Sequence, residues 1–313
     1  MRVCFVGIGS IAQRHVKNLR DICKEKNWEL IVDALRRPDS KDNHLNCLFD
    51  NVFYDCEKLP SMYDAIFITN PTKYHLDTLE ALYHHSNCFF IEKPVATLQQ
   101  KDKITFWAQK RDKLCYVACP LRYTAVISYL KKYISSDKVY GVRCISSSYL
   151  PDWRPGIDYR TTYSACSKLG GGVSIDLIHE WDYIKYLFGI PQNILYSSGK
   201  KSNLQLDCED YASYIAEYPD KVIELHLDYF GRKSIREIMI FQEDDTIVGD
   251  LVNSNIKYLK SGETIQFNED RNTYQKRELQ YFLDLMDGKT ENMNDINEAY
   301  ITLKLTQGVV EEE

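Results

Sequence analysis

The sequence predicts a doubly wound parallel α/β sheet followed by an α+β domain with an open, mainly antiparallel sheet. Three observations carry that prediction. From Met1 to about Ala118 short apolar runs alternate with amphipathic stretches, the grammar of β-α-β units. A G-x-G-x-x-A turn sits directly behind the first run, and beyond Pro120 strands follow one another with only short polar turns between them. The length of 313 residues, about twice the ~150 expected of one domain, accommodates both.

The first-half strands are Val3–Val6, Leu30–Leu35, Ala65–Thr69, Cys88–Ile91 and Cys115–Ala118, with helical patterns at Ile11–Lys24, Tyr74–His84 and Gln99–Lys110. In the second half a helix over about Thr124–Ile134 leads into a strand, Tyr140–Tyr149, and then a long loop with Pro151, Pro155 and Gly156. A helix from about Gly172 to Phe188 precedes alternating runs, among them Tyr211–Tyr218, Val222–Tyr229, Ser234–Phe241 and Asn255–Leu259. Helices near Tyr274–Met286 and Ile296–Val310 close the chain, and Glu311-Glu312-Glu313 reads as a solvated end. The expected domains are residues 1–119, for a nucleotide, and 120–313, for substrate and dimerisation, with the terminal helices able to pack back on the first.

Composition excludes several classes. With 44% apolar and 27% charged residues the chain is ordinary globular protein, and a net charge of −6 argues against a nucleic-acid partner bound by phosphate neutralisation. No run of about 18 apolar residues exists, and the short apolar run at the N-terminus is cut by Gly7, so neither membrane nor secretion is expected. Ten cysteines without a C-x-x-C read as free thiols in a cytoplasmic protein, with no structural zinc.

Glycine is scarce, 14 residues, yet five fall in two clusters. In the first, Gly7-Ile8-Gly9-Ser10-Ile11-Ala12 lies between strand and helix. Gly7 suits a tight turn, Gly9 lets the backbone approach a pyrophosphate, Ala12 lets the helix pack closely, and the helix N-terminus with Ser10 and Ile11 faces the phosphates. This is a Rossmann dinucleotide site. After the second strand come Arg36 and Arg37, with Asp33 inside the apolar run. Arginines at the tip offer donors to a 2′-phosphate, so NADP is favoured over NAD. A further turn, Glu92-Lys93-Pro94, puts a lysine at the C-terminal end of a buried strand, where open parallel sheets bind ligands.

These motifs, in this order, resemble the Gfo/Idh/MocA family of oxidoreductases: Gly7-x-Gly9-x-Ile11-Ala12 with His15, Thr69-Asn70-Pro71 with His75, Glu92-Lys93-Pro94, Arg122, and Gly170-Gly171-Gly172 leading to Asp176, His179 and Asp182. The resemblance implies an NAD(P)-binding Rossmann domain, a C-terminal α/β domain whose open sheet forms a homodimer or higher oligomer, and oxidation or reduction of sugars and related polyols. It matches Thr69, Asn70, Pro71 and His75 to a turn that approaches the cofactor, and Glu92 and Lys93 to the turn whose lysine lies near the nicotinamide and the reacting hydroxyl.

The second cluster opens the helix that bears the remaining candidates. Bare backbone at Gly170–Gly172 would let substrate and nicotinamide come close. At helical spacing Leu177, Trp181, Ile184 and Phe188 form an apolar stripe, and Asp176, His179, Tyr183 and Tyr186 a polar and aromatic one. Asp176 and His179 are three apart where the family pattern usually has four. His179 is therefore the stronger candidate, Asp176 follows, and Asp182 reads as a structural partner. The preceding loop holds Trp153, Arg154, Tyr159, Arg160 and Tyr163, aromatics to stack on sugar faces and arginines to clamp an anion, and together with Arg122 these are the candidate substrate residues.

The expected mechanism gives His179 the proton of a carbinol, with Asp176 orienting it and Lys93 stabilising alkoxide character, although lysine and histidine are exchangeable in these roles. No metal is required. Two other readings stay open: a non-catalytic NAD(P)-bound sensor or scaffold, and an enzyme that oxidises and re-reduces the same sugar without net cofactor turnover.

Overall fold

In a computed structural model, which describes residues 1–39 and 43–310, the apolar runs of the first half become strands β1 (Arg2–Val6), β2 (Ile31–Leu35), β3 (Asn51–Phe53), β4 (Ala65–Ile68), β5 (Cys88–Ile91) and β6 (Leu114–Val117). They form one parallel sheet in the order β3-β2-β1-β4-β5-β6. Helices α1 (Ser10–Glu25), α2 (His75–Leu82) and α3 (Lys101–Gln109) connect them. The strand order reverses between β1 and β4, so the turns after β1, β4 and β5 lie together at the C-terminal edge, the switch point at which such sheets bind ligands. Strand β3 escapes the sequence reading because it is three half-exposed edge residues with no alternation to detect.

The second unit contains α4 (Ala125–Tyr133), then β7 (Val139–Tyr149), the helical pieces α5 (Val173–Asp176) and α6 (Ile178–Phe188), and β8 (Asn193–Gly199), β9 (Tyr211–Glu217), β10 (Val222–Asp228), β11 (Phe230–Gln242), β12 (Thr246–Asp250), β13 (Asn255–Tyr258) and β14 (Thr264–Gln266). The sheet runs β14-β13-β12-β11-β7-β10-β9-β8 and is antiparallel except where β10 meets β7. Strict alternation makes one face core, with Val142, Cys144, Leu225, Leu227, Ile238 and Ile240 buried against the helices. Trp181 of α6 meets Tyr214 of β9 edge to face at 5.2 Å. The opposite face carries Arg143, Ile145, Glu224, His226 and Met239.

The chain ends with α7 (Arg271–Met286) and α8 (Ile296–Leu305), and residues 271–300 belong to the first unit, together with 1–119. Phe282 of α7 meets Phe67 and Phe90 edge-on at 5.6 and 5.3 Å, completing an aromatic core over the sheet. The buried Glu278 carboxylate accepts from Cys119 N at 2.6 Å and Tyr116 Oη at 3.1 Å, so the helix also satisfies the end of β6. No described helix is long and apolar enough to cross a membrane. The terminal Glu311–Glu313 lies outside the described residues.

Candidate active site

In the first unit the chain leaves β1 through Gly7 at φ 87°, where a Cβ would stand 2.7 Å from the Asn70 Cα. The fold itself therefore demands this glycine. Gly9 is different: its φ of −66° suits any residue, and a Cβ there would meet nothing within 4 Å. No side chain caps α1, and its first turn holds no acidic residue, so the amides of Ser10, Ile11 and Ala12 are available to an anion. Ala12 is fully buried where helix meets sheet. The open space and uncapped amides fit a dinucleotide pyrophosphate. A Gly9→Ser variant, which introduces a better helix cap, is expected to be as stable as the parent or slightly more so. Its affinity for reduced cofactor should fall about tenfold or more, read by fluorescence titration beside a thermal melt. Unchanged affinity would remove Gly9 from the cofactor site.

The turns after β4 and β5 are locked to each other and to this one. Thr69 Oγ1 lies 3.0 Å from Val6 O and 2.7 Å from Gly7 O as donor. Asn70 donates to Thr78 Oγ1 at 2.7 Å, leaving its own Oδ1 buried without a hydrogen-bond partner among the described residues, an acceptor suited to a cofactor donor. The ring of His75 spans two turns, with Nδ1 2.9 Å from Pro94 O and Nε2 2.8 Å from Asn70 O. On the other side His15 Nε2 lies 2.6 Å from Glu92 Oε1, while Glu92 Oε2 accepts from Lys93 N at 3.3 Å. Two buried histidines thus fix the turn that presents Lys93, itself half-buried at the end of β5. His75 and Glu92, expected to touch the cofactor, hold these turns together.

Burial alone would push the Glu92 carboxyl up, but the hydrogen bond and charge of His15 and the nearby Lys93 outweigh it and hold the pKa below the usual range. Full burial depresses His75 despite its two carbonyl neighbours. Both folded-state values lie below their unfolded ones, so the stability these groups contribute is present at neutral pH and is lost on acidification. The loss from His75 begins as pH falls through about 6.5, with a slope of at most ~1.4 kcal/mol per pH unit for one proton. Urea midpoints at pH 7.5 and 5.5 should differ less in His75→Gln than in the parent; an equal difference would assign the acid sensitivity elsewhere.

At the end of the second strand Asp33 is fully buried in β2, where Arg2 Nε, Asn51 Nδ2 and Tyr63 Oη donate to it at 2.8, 2.8 and 3.0 Å. Arg36 is also buried, with Nη1 donating to Asn46 Oδ1 at 2.6 Å. Of the two arginines, Arg37 is the one whose side chain is exposed.

In the second unit the helix expected over Gly172–Phe188 is broken at Leu177 (φ −96°, ψ 30°), so Asp176 ends α5 and His179 stands, half-buried, in the first turn of α6. Both Asp176 oxygens accept from phenols, one from Tyr163 and the other from Tyr229 at 2.7 Å. Burial and the adjacent carboxylate raise both tyrosines well above their usual pKa, keeping them protonated donors. Trp153 meets Tyr229 edge-on at 5.3 Å and donates Nε1 to Ser148 Oγ, while the Arg154 guanidinium lies 5.7 Å from the Tyr163 ring centre. Trp153, Arg154 and Tyr163 are therefore gathered around Asp176.

Other expected site residues have protein partners of their own. Arg160 forks onto Asp158 and reaches Gln205, and Tyr159 Oη accepts from Gln205 N at 2.9 Å. Arg122 makes a buried bidentate pair with Asp182, at 2.9 and 2.7 Å, and its guanidinium lies 5.0 Å from the Tyr186 ring centre. Tyr183, expected on the polar face, is fully buried in the core. The second glycine cluster also has an internal cause: a Cβ at Gly171 would overlap the Tyr163 carbonyl, and one at Gly172 the Glu209 carboxylate. Tyr229 and Glu209 were not singled out in the sequence. One is a tyrosine at a strand end and the other a loop carboxylate, and neither has a spacing signal.

Residues 1–119 match the family model described as an oxidoreductase family with an NAD-binding Rossmann fold. An uncharacterized oxidoreductase, YrbE of Bacillus subtilis (strain 168), is 24% identical over 197 residues, covering 62% of this chain and 55% of that one, so the match spans about half the relative's length. Among solved structures, UDP-N-acetylglucosamine 3-dehydrogenase from Acidithiobacillus ferrooxidans is similar with a TM-score of 0.77 at 18% identity, covering 99% of this chain and 96% of that one. A levoglucosan dehydrogenase in complex with NADH is similar with a TM-score of 0.83 at 14% identity, covering 99% and 96%. At these identities the likeness speaks to the fold.

Proposed function

We propose, from the match of residues 1–119 to the Gfo/Idh/MocA oxidoreductase family, that this chain transfers a hydride between a nicotinamide cofactor and a hydroxyl or keto carbon of a sugar, polyol or nucleotide sugar. The observation that carries the reading is the Lys93 turn: a lysine at the C-terminal edge of the sheet, on backbone fixed by His15 and His75, beside a glycine turn with room for a pyrophosphate. Glycine turn, Thr69 and Asn70 would hold the cofactor, and when bound it supplies the hydride acceptor or donor. This chain supplies the rest. Oxidising a carbinol also removes its hydroxyl proton, which His179 takes and returns, while the Lys93 ammonium stabilises alkoxide character on the oxygen. Asp176, held by two phenols, is the fixed carboxylate of this group. Trp153, Tyr163 and Arg154 offer a sugar its stacking faces and a cation.

NADP is favoured because the residues directly after β2 are arginines, with the Arg37 guanidinium exposed, and Asp33 is occupied within the strand. A homodimer or higher oligomer through the open sheet is supported by Leu195, Ile215 and Val222, 56, 44 and 42% exposed on neighbouring strands. Ten unbridged cysteines support a reducing, cytoplasmic setting. The test is to titrate NADPH and NADH separately, then offer sugars, polyols and nucleotide sugars while following reduced-cofactor absorbance and the mass of the sugar. Cofactor binding with neither absorbance nor sugar changed across a broad panel would turn the reading to a sensor or scaffold; a changed sugar without net cofactor turnover would turn it to internal redox.

A further inference from the structure

We propose that the second unit carries another ligand site, a basic and aromatic pocket of about 450 Å³ that takes the diphosphate of a nucleoside diphosphate. Tyr149, Tyr159, Lys201, Asn203, Phe230 and Arg232 line it. It is an open depression in which the side chains of Lys201 and Arg232 are both exposed. Its two cations are the first argument. Elsewhere Arg2, Arg20, Arg122, Arg143, Arg160 and Arg236 each face a carboxylate. Arg232 and Lys201 have no carboxylate partner among the described residues, in a chain whose net charge is −6. The Arg232 guanidinium instead stacks on Tyr149, 3.9 Å from the ring centre, which fixes its plane and leaves its N–H edge for bidentate contact with a phosphoryl group.

The walls are held in place, which is the second argument. Asp228 Oδ1 accepts from Phe230 N at 3.0 Å and Gly231 N at 2.8 Å, and a Cβ at Gly231 would overlap Ser147 Oγ, so the ledge that bears Arg232 has one close-packed position. Across the pocket the buried Asp210 carboxylate accepts from Lys201 N at 2.8 Å, Ser202 N at 2.9 Å and Ser202 Oγ at 2.5 Å. Tyr159 is tied to the same loop through Gln205 N. A preorganised site loses little ordering entropy on binding. Two positive groups match a diphosphate better than a single carboxylate, and the tyrosine and phenylalanine rings provide a surface for a base or sugar. Phe230 follows Tyr229 and Tyr159 lies in the loop of Tyr163, so a ligand here bears on the segments that hold Asp176. As a statement about substrate, the inference rests on the hydride-transfer reading; diphosphate binding itself does not.

Calorimetric titration of the full chain with UDP, UMP and inorganic pyrophosphate, before and after saturation with NADPH, tests it. UDP is expected to bind once per chain in both conditions, and at least about tenfold more weakly in Arg232→Gln and in Lys201→Gln, with Lys233→Gln unchanged. No UDP binding, binding indifferent to both pocket substitutions, or binding abolished by NADPH would overturn the site. NADPH failing to bind while UDP binding still depends on Arg232 would count against the hydride-transfer reading alone. If UDP-N-acetylglucosamine is turned over, a raised KM with unchanged kcat in Arg232→Gln makes the diphosphate a substrate handle. Unchanged turnover beside weakened UDP binding makes the ligand the free nucleotide.

Discussion

Lys93→Met is expected to lower kcat/KM for the sugar by roughly 10²–10⁴-fold while the affinity for reduced cofactor stays within a few-fold. Methionine keeps the length and the apolar stem of the side chain and removes the charge. The turn should survive, because its clamps act on the Glu92 carboxylate and on the Asn70 and Pro94 carbonyls. On the proposed reading, what is lost is the positive group that meets the substrate oxygen, an interaction stronger in the transition state than in the bound substrate, so the loss belongs in kcat as well as in kcat/KM. His179→Ala should show a second signature. If it moves the proton, one limb of the pH–rate profile disappears with it, and small added imidazole restores part of the rate. Wild-type kcat/KM in either variant would remove that residue from the chemistry.

The features that could be read from the sequence are the local ones. Strands β1, β2, β4, β5 and β6 are short buried runs whose apolar residues lie next to each other in the chain, and the Gly7–Ala12 turn spans six successive positions. What escaped reading depends on contacts distant in the chain. The 3.6-residue apolar stripe runs through Leu177 unchanged, so the break between α5 and α6, which puts Asp176 and His179 on different helical pieces, leaves no trace in the pattern. Glycines 170–172 were attributed to ligand approach, whereas Tyr163 and Glu209 already crowd two of them. In the first cluster Gly7, read as a tight turn, is crowded by Asn70, while Gly9, read as the point of pyrophosphate approach, has open surroundings. A glycine motif therefore marks close approach without saying what approaches. His75 shows the complementary limit: its motif position gave no sign of its two carbonyl partners, which make it a brace between turns.

Arg122→Met is expected to destabilise the fold by about 3–5 kcal/mol, because it leaves the Asp182 carboxylate buried without its countercharge. Both side chains are almost fully buried, at 3 and 9% exposure, and the two parallel hydrogen bonds satisfy them jointly. Asp182→Asn should cost a similar amount for the opposite reason, since the guanidinium cannot give up its proton and would remain charged in the interior. The pair itself need not be favourable. Desolvating two ions offsets most of their attraction, so the double variant Arg122→Met with Asp182→Leu is expected to regain most of what either single change loses. Urea unfolding of the four proteins reads this directly as a coupling energy. A double variant that loses the sum of the two single changes would show that the residues are not energetically coupled. A raised KM in Arg122→Met with stability kept would restore Arg122 to the substrate site. The geometry favours coupling: a guanidinium with two of its N–H groups spent on one carboxylate and its face covered by Tyr186 has little left to offer a sugar.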